Sequence, residues 1–216
     1  MSLSCVRFVN SLFTSNAYII SYENKSDIWV VDPGDTLPIY QWMAENGKTE
    51  IKGILLTHSH FDHIYGINDI ISRYPQSVIY VANESGKHAL FDAKLNGSKY
   101  TERAIIISEC AKVCYYPSQF YLWYNIPISV YMTPGHSDDS VCFTISHHLF
   151  TGDTLIKDTR TVTKLKNGSV EKLKQSLKLI KSIDIEPCII LPGHGEEFFL
   201  RGYDFNKALY NKLRNN

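Results

Sequence analysis

Three histidines and an aspartate lie within six residues of one short segment, at positions His58, His60, Asp62 and His63. Neutral imidazole nitrogen and carboxylate oxygen are the ligands that zinc and related divalent metals take in proteins. An apolar run over residues 51–56 precedes the segment, and apolar residues at helical spacing follow it from Ile64 to Ile71. The segment therefore lies where a predicted strand gives way to a predicted helix, which is where layered α/β folds place their chemistry. A solvated loop with unrelated histidines is the alternative interpretation.

Three later segments repeat this design, each with a glycine that ends an apolar run and a metal-capable side chain directly after it: Gly135-His136, Gly152-Asp153 and Gly193-His194. Glycine permits a tight turn at the end of a strand. The four segments together supply five imidazoles and two carboxylates, more than the three protein ligands of a mononuclear catalytic zinc site. They would suit two metal ions about 3.5–4 Å apart. A purely structural metal is the alternative, although none of the four segments contains a cysteine.

Short strands are predicted to position these segments. Residues 28–32 read as a strand that ends at Asp32-Pro33-Gly34, and further strands are predicted at 141–145, 148–151 and 189–191. The strands come in two groups, each followed by helices, with no linker and no short repeat. This pattern predicts an α+β fold, a four-layer αββα sandwich of two mixed sheets with helices outside, in a single domain over residues 1–216. Residues 104–107 are read as strand or helix, and residues 203–213 as a terminal helix.

Composition excludes some partners. Apolar residues make up 44% of the 216, and 22 basic residues balance 22 acidic ones, so no overall field recruits nucleic acid or an anionic membrane. No run approaches the roughly 20 apolar residues of a membrane span, and we expect no signal peptide. The five cysteines show no Cys-x-x-Cys spacing, so we expect buried free thiols in a reducing cytoplasm, at positions Cys5, Cys110, Cys114, Cys142 and Cys188.

A known family shares these motifs in the same order. The segment Thr57-His58-Ser59-His60-Phe61-Asp62-His63 resembles the T-H-x-H-x-D-H motif of the metallo-β-lactamase superfamily. The later Pro134-Gly135-His136-Ser137, Gly152-Asp153-Thr154 and Pro192-Gly193-His194-Gly195 resemble its remaining motifs. The resemblance runs from Asp32 to Gly195, most of the chain.

The resemblance implies a role for each of these residues. It implies two divalent metal ions, zinc first with iron or manganese as alternatives, and ligands for the first ion at His58, His60 and His136. For the second ion it implies Asp62, His63 and His194, with Asp153 as the bridge. Asp32 resembles the carboxylate that orients a ligating imidazole; a turn-capping aspartate is the alternative. Asp62 is also a candidate proton acceptor, so we treat Asp32 and Asp62 as the candidate catalytic residues.

Within the superfamily the pattern is most similar to the hydroxyacylglutathione hydrolase (glyoxalase II) branch. That resemblance implies hydrolysis of a small thioester, ester or lactone, in which the ions lower the pKa of water and polarise the acyl carbonyl. Two features differ from the branch: the segment after Gly195 is short, and Lys157 to Lys164 replaces the branch's Gly-Arg-x-Asp stretch. A mononuclear iron persulfide dioxygenase is the main alternative function. A nuclease or phosphodiesterase, and a binding module without catalysis, rank lower.

Two groups of residues are candidates for substrate contact. The aromatic stretch is predicted to pack in the sheet or to form a wall for an apolar acyl group, and it comprises Tyr115, Tyr116, Phe120, Tyr121, Trp123 and Tyr124. Lys157, Arg160 and Lys164 follow the Asp153 segment and form either an anion-binding group or a solvated basic face. We expect a small-molecule substrate and no membrane or nucleic-acid partner, and the sequence leaves the oligomeric state open.

Overall fold

The computed structural model describes residues 2–123 and 125–210. The chain divides into two compact units, residues 1–115 and 116–216, and each contains one six-stranded mixed sheet. The prediction of two mixed sheets with helices is therefore confirmed. A single domain over residues 1–216 stays a prediction. Among the described residues, no helix is both long enough and apolar enough to cross a membrane.

The first unit orders its strands as they occur in the chain, β1-β2-β3-β4-β5-β6. The first three strands pair antiparallel, and β3 to β6 pair parallel. Its elements are β1 Leu3–Val9, β2 Asn16–Tyr22, β3 Asp27–Val31, α1 Thr36–Glu45, β4 Glu50–Leu55, α2 Ile67–Arg73, β5 Val78–Val81, α3 Glu84–Leu90 and β6 Lys112–Tyr115.

The second unit orders its strands β12-β11-β10-β9-β8-β7. Only β10 and β11 pair parallel, and the other neighbours are antiparallel. Its elements are β7 Phe120–Leu122, β8 Ile126–Met132, β9 Val141–Ile145, β10 His148–Gly152, α4 Val170–Lys181, β11 Ile189–Pro192, β12 Phe198–Phe199 and α5 Asn206–Leu209.

Each unit has its own apolar core. In the first, Ile28, Val30, Ile54 and Ile79 from the parallel strands are fully buried against residues of α1 and α2. Such continuous apolar runs are typical of strands that are covered on both faces. In the second unit, helix α4 buries Leu173, Leu177 and Ile180 on one face, while its lysines stay exposed. The helical spacing of these apolar residues accounts for the buried face of α4.

Several boundaries differ from those that the sequence predicts. Residues 104–107 form neither strand nor helix, because side chains rather than a neighbouring strand bond their backbone. The helix after the histidine segment begins at Ile67, since residues 61–63 form a separate 3-10 turn. In the tail, the described residues contain only α5, Asn206–Leu209; the predicted end at Leu213 lies outside them.

The cysteine prediction is correct for two residues only. Cys142 and Cys188 are buried, Cys5 is half-buried, and Cys110 and Cys114 are exposed. Cys110 lies in a turn and Cys114 alternates outward on the edge strand β6, so neither position covers its side chain. Burial raises the pKa of the Cys142 thiol to about 12 and that of the Cys188 thiol to about 11.

These differences in burial predict a graded reaction with a thiol reagent. Because the thiolate is the reactive form, we expect Cys110 and Cys114 to react within minutes with Ellman's reagent at pH 8. Cys142 and Cys188 should react only after unfolding in guanidinium chloride. Counting the released thionitrobenzoate before and after unfolding checks this. The variants Cys110→Ser and Cys114→Ser identify which thiols react in the folded protein. Rapid labelling of Cys142 in the folded protein would contradict it.

Candidate metal centre

Asp32 and the histidine segment leave the first sheet at the same edge. Strands β3 and β4 are parallel neighbours, with Val31 paired to Leu55. The segments that follow these two strands therefore leave the sheet side by side. The Asp32 amide still donates to the Leu55 carbonyl at 3.2 Å, and the residue then turns with a φ of 47°. Aspartate adopts this left-handed conformation more readily than most residues. The adjacency of the two segments follows from the order of the strands.

The Asp32 carboxylate connects the two strand ends. It is 1% exposed and accepts from the Thr57 amide at 2.8 Å and from the Thr57 hydroxyl at 2.5 Å. Its Oδ2 also lies 3.1 Å from Nδ1 of His63. Burial raises the pKa of the Asp32 carboxyl, and the hydrogen bonds from His63 and Thr57 act in the opposite direction. The carboxylate thus fixes the orientation of the His63 ring, as a ligand-orienting residue does.

The imidazoles of the segment are packed against one another. The ring centroids of His58 and His63 are 4.3 Å apart, and those of His58 and His60 are 4.7 Å apart. His58 and His63 are buried, and His60 is partly exposed. Donor atoms of Asp32, His58 and His63 all lie within 4.8 Å of one another. Of these donors, the imidazoles of His58 and His63 suit a divalent ion, whereas the Asp32 carboxylate is already engaged by Thr57 and His63.

The rest of the unit holds the 3-10 turn of residues 61–63 in place. The His63 amide donates to the His60 carbonyl at 3.0 Å, which closes the turn. The buried hydroxyl of Ser15 donates to the Asp62 carbonyl at 2.7 Å, and the carboxylate of Asp62 lies 3.6 Å from Nε2 of His63. A Cβ on Gly66 would lie 2.1 Å from a backbone oxygen, so only glycine permits this close approach.

In the second unit, three strand ends bring His136, Asp153 and His194 together. Strands β8, β10 and β11 run in the same direction, so all three residues leave the sheet at one edge. Oδ2 of Asp153 lies 3.6 Å from Nε2 of His136 and 3.5 Å from Nε2 of His194. A carboxylate oxygen that faces two imidazole nitrogens at these distances fits a ligand shared between metal ions.

A backbone carbonyl and a helix orient His136. Its Nδ1 lies 2.8 Å from the Val162 carbonyl, so Nδ1 carries the proton and Nε2 keeps its lone pair. Helix α4 packs on the preceding glycine, where a Cβ on Gly135 would come within 2.5 Å of the Leu173 backbone. The Ser169 amide also donates to the Gly135 carbonyl at 2.8 Å. The glycine therefore gives both a turn, with φ of 152°, and a docking surface for α4.

The structure groups the predicted site residues within each unit. The first unit brings together Asp32, His58, His60, Asp62 and His63, and the second brings together His136, Asp153 and His194. Sequence reasoning missed the parts that orient them: the Thr57 hydroxyl, the Ser15 hydroxyl and the Val162 carbonyl. Thr57 directly precedes His58, so its position at the strand end was the one available signal.

The candidate substrate residues have mixed surroundings. Lys157, Arg160 and Lys164 are exposed, as a solvated basic face requires. Within the aromatic stretch Phe120 is buried, whereas Tyr115 and Tyr121 are 43% and 50% exposed. Tyr124 lies outside the described residues.

Comparisons with known proteins agree on the family. The sequence model described as Metallo-beta-lactamase superfamily matches residues 11–194. A hydroxyacylglutathione hydrolase of Pseudoalteromonas translucida is 25% identical over 189 residues, which are 88% of this chain and 64% of that protein. Other curated relatives of the same name reach 30% identity. The chain spans about three fifths of the length of these relatives.

Two solved structures are similar to this fold. The BLEG-1 B3 metallo-beta-lactamase is 28% identical, with a TM-score of 0.79 over 91% of this chain and 94% of that one. TTHA1623, solved in a di-iron-bound form, is 22% identical, with a TM-score of 0.75 over 90% of this chain and 94% of that one. The first of these proteins is named as a lactamase, and the second binds two iron ions.

The geometry around Asp32 predicts a stability difference between two substitutions of Thr57. Thr57→Val removes the hydroxyl that donates to the buried carboxylate and should cost about 2 kcal/mol of unfolding free energy. Thr57→Ser keeps the donor and loses one buried methyl group, at a cost of about 1 kcal/mol. Urea unfolding followed by circular dichroism in EDTA measures both. Equal stability of the two variants would show that the hydroxyl does not support Asp32.

Proposed function

Because the chain belongs to the metallo-beta-lactamase superfamily, we propose that it is a hydrolase with a dinuclear metal centre that cleaves a small thioester, ester or lactone. The observation that carries this proposal is the position of Asp153, whose one oxygen faces imidazole nitrogens from two other strand ends at 3.6 and 3.5 Å. A structural metal site needs no such shared oxygen. The names of the curated relatives favour the acyl bond of a thioester.

In this proposal the ligands divide between two ions. His58, His60 and His136 would hold the first, Asp62, His63 and His194 would hold the second, and Asp153 would be shared. When bound, such ions supply Lewis acidity and lower the pKa of water toward neutrality. Zinc suits this mixture of imidazole and carboxylate, and iron or manganese suits it too.

The chain's own residues supply orientation. Asp32 holds the His63 ring through its Nδ1, and the Val162 carbonyl holds the His136 ring in the same way, so that both Nε2 atoms keep their lone pairs. Ser15 fixes the backbone of Asp62, the residue that we propose as ligand and proton acceptor. Burial of His58 and His63 limits the access of water to their rings. These contacts preorganise the donors before any ion binds.

A substrate panel tests the reaction. We expect turnover of a hydroxyacyl-glutathione thioester, an aryl ester or a lactone by metal-replete protein, and little or none of a phosphodiester or a β-lactam. His60→Ala should lower the rate at least about a hundredfold, since it removes a proposed ligand. His88→Ala, an exposed histidine of α3, is the matched control and should leave the rate unchanged. Full activity of His60→Ala, or activity on the phosphodiester alone, would refute the proposed reaction.

Metal content tests the centre independently of turnover. Elemental analysis of protein purified without added metal should find two divalent ions per chain. Asp153→Asn should weaken binding of the ions about 10- to 100-fold, because the shared carboxylate loses its charge. Asp184→Asn, at an exposed position, is the control. A single iron per chain, with oxygen-dependent turnover of a persulfide, would instead identify the dioxygenase that the sequence leaves as the main alternative.

A further inference from the structure

Asn10, directly after strand β1, is a polar residue with a buried side chain. It is 2% exposed, whereas asparagine side chains are mostly found at the surface. Its Nδ2 donates to the Ser15 hydroxyl at 3.0 Å, and its backbone amide donates to the Ser15 carbonyl at 2.8 Å. Its Oδ1 accepts from the Asp35 amide at 2.9 Å. One side chain therefore joins the turn between β1 and β2 to the segment that follows β3.

Ser15 extends this connection to the histidine segment. Ser15 is fully buried, and its hydroxyl accepts from Asn10 while it donates to the Asp62 carbonyl at 2.7 Å. A hydroxyl that accepts and donates at once has a fixed orientation, and consecutive hydrogen bonds in a buried setting strengthen one another. The Asp62 carbonyl belongs to the 3-10 turn of residues 61–63. Asn10 is thus two hydrogen bonds away from the backbone of that turn.

A second route connects Asn10 to the same segment through Asp35. The Asp35 carboxylate accepts from the Tyr65 hydroxyl at 2.8 Å. The Ser11 amide and hydroxyl donate to the same carboxylate at 2.6 and 2.9 Å. Because Tyr65 lies two residues after His63, the histidine segment is held on both sides of its 3-10 turn. We call the residues that form these two routes the Asn10 network: Asn10, Ser15, Asp35, Asp62 and Tyr65.

Close packing leaves the Asn10 side chain little freedom. A Cβ on Gly34 would lie 2.4 Å from Cγ of Asn10, and the carbonyl oxygen of Gly34 is the backbone oxygen that approaches Gly66. The Gly66 amide also donates to the Pro33 carbonyl at 3.1 Å. Three segments of the first unit are therefore in direct contact. Since close-packed interiors transmit strain, a shift of the Asn10 amide would displace the backbone of the histidine segment.

The Asn10 network and Asp32 hold different parts of the histidine segment. Asp32 lies against the ring of His63, at 3.1 Å from its Nδ1. The network instead bonds to the backbone carbonyl of Asp62 and to the side chain of Tyr65. Ring orientation and turn position therefore have separate supports. Both are needed, because a binding constellation must be held within about 0.5 Å of its productive geometry.

We propose that Asn10 is a positioning residue for the side chains of Asp62 and His63. It acts through Ser15 on one side of their turn and through Asp35 on the other. Its effect on metal binding rests on the proposed function, in which Asp62 and His63 would hold the second ion. Its effect on the turn itself does not, because the network is complete without an ion.

Amide hydrogen exchange in EDTA tests the effect on the turn. Amides of residues 61, 63, 64 and 66 donate hydrogen bonds, so their exchange is measurable by NMR. In Asn10→Ala and in Ser15→Ala we expect these amides to exchange about tenfold faster, while those of strands β4 and β5 stay within about twofold. Ser15→Ala should have a smaller effect in the Asn10→Ala background than alone, since coupled residues are not additive.

Ser77→Ala is the matched control. The Ser77 hydroxyl is 1% exposed and donates to the Ile51 carbonyl at 2.6 Å, so the variant removes the same kind of bond from the same unit. Ile51 lies near the start of β4, whereas the histidine segment follows the end of that strand. Ser77→Ala should therefore leave exchange at residues 61–66 unchanged.

Zinc titration of EDTA-stripped protein against a competing chelator tests the effect on metal binding. Asn10→Ala should weaken the second zinc ion about tenfold and leave the first within about twofold, because it loosens the turn that carries the second set of ligands. Ser77→Ala should change neither ion. Uniform weakening of both ions by Asn10→Ala would contradict the selective role of the Asn10 network.

The two measurements separate the inference from the proposed function. Unchanged exchange at residues 61–66 in folded Asn10→Ala would overturn the inference, and so would an equal increase in Ser77→Ala. If Asn10→Ala does not fold, Ser15→Ala provides the same test. Faster local exchange in a protein that binds no zinc would support the positioning role and count against the proposed function alone.

Discussion

The burial of the Asp32 carboxylate is the constraint on which the histidine cluster of the first unit depends. A carboxylate in an apolar interior is tolerated only when hydrogen-bond donors surround it. Here the backbone and hydroxyl of Thr57 supply two donors, and the ring of His63 lies against the same oxygen. The requirement to satisfy this one group ties strand β3 to the segment after β4. It thereby fixes where the imidazoles can lie.

The second unit reaches a similar result by different means. Asp153 is partly exposed, and the turns at three strand ends bring its carboxylate to the rings of His136 and His194. Gly135 is essential to one of these turns, because helix α4 packs directly on it and leaves no room for a side chain. The helix thus has two functions. Its apolar face completes the core, and its first turn holds the His136 loop.

Strain and rigidity occur together in the first unit. The left-handed residues Phe13 and Thr14 lie in a turn that bonds to Asp35 on one side and, through Ser15, to the Asp62 carbonyl on the other. The same turn therefore supports a proposed metal ligand and presents an exposed aromatic ring. This arrangement connects the turn physically to the histidine segment.

The sequence by itself determined the family, the strand ends and the identities of the candidate ligands, because these depend on local patterns of glycine, histidine and apolar residues. Only the tertiary structure decided which side chains orient those ligands. Ser15 and Val162 are distant in the chain from the residues that they support, and neither type of residue signals such a role. The segment at residues 104–107 was ambiguous for the same reason, since bonds from Asn96 and Ser98, rather than its own apolar pattern, give it an extended shape. Local sequence specifies what a residue can do, whereas contacts between distant segments specify where its atoms point.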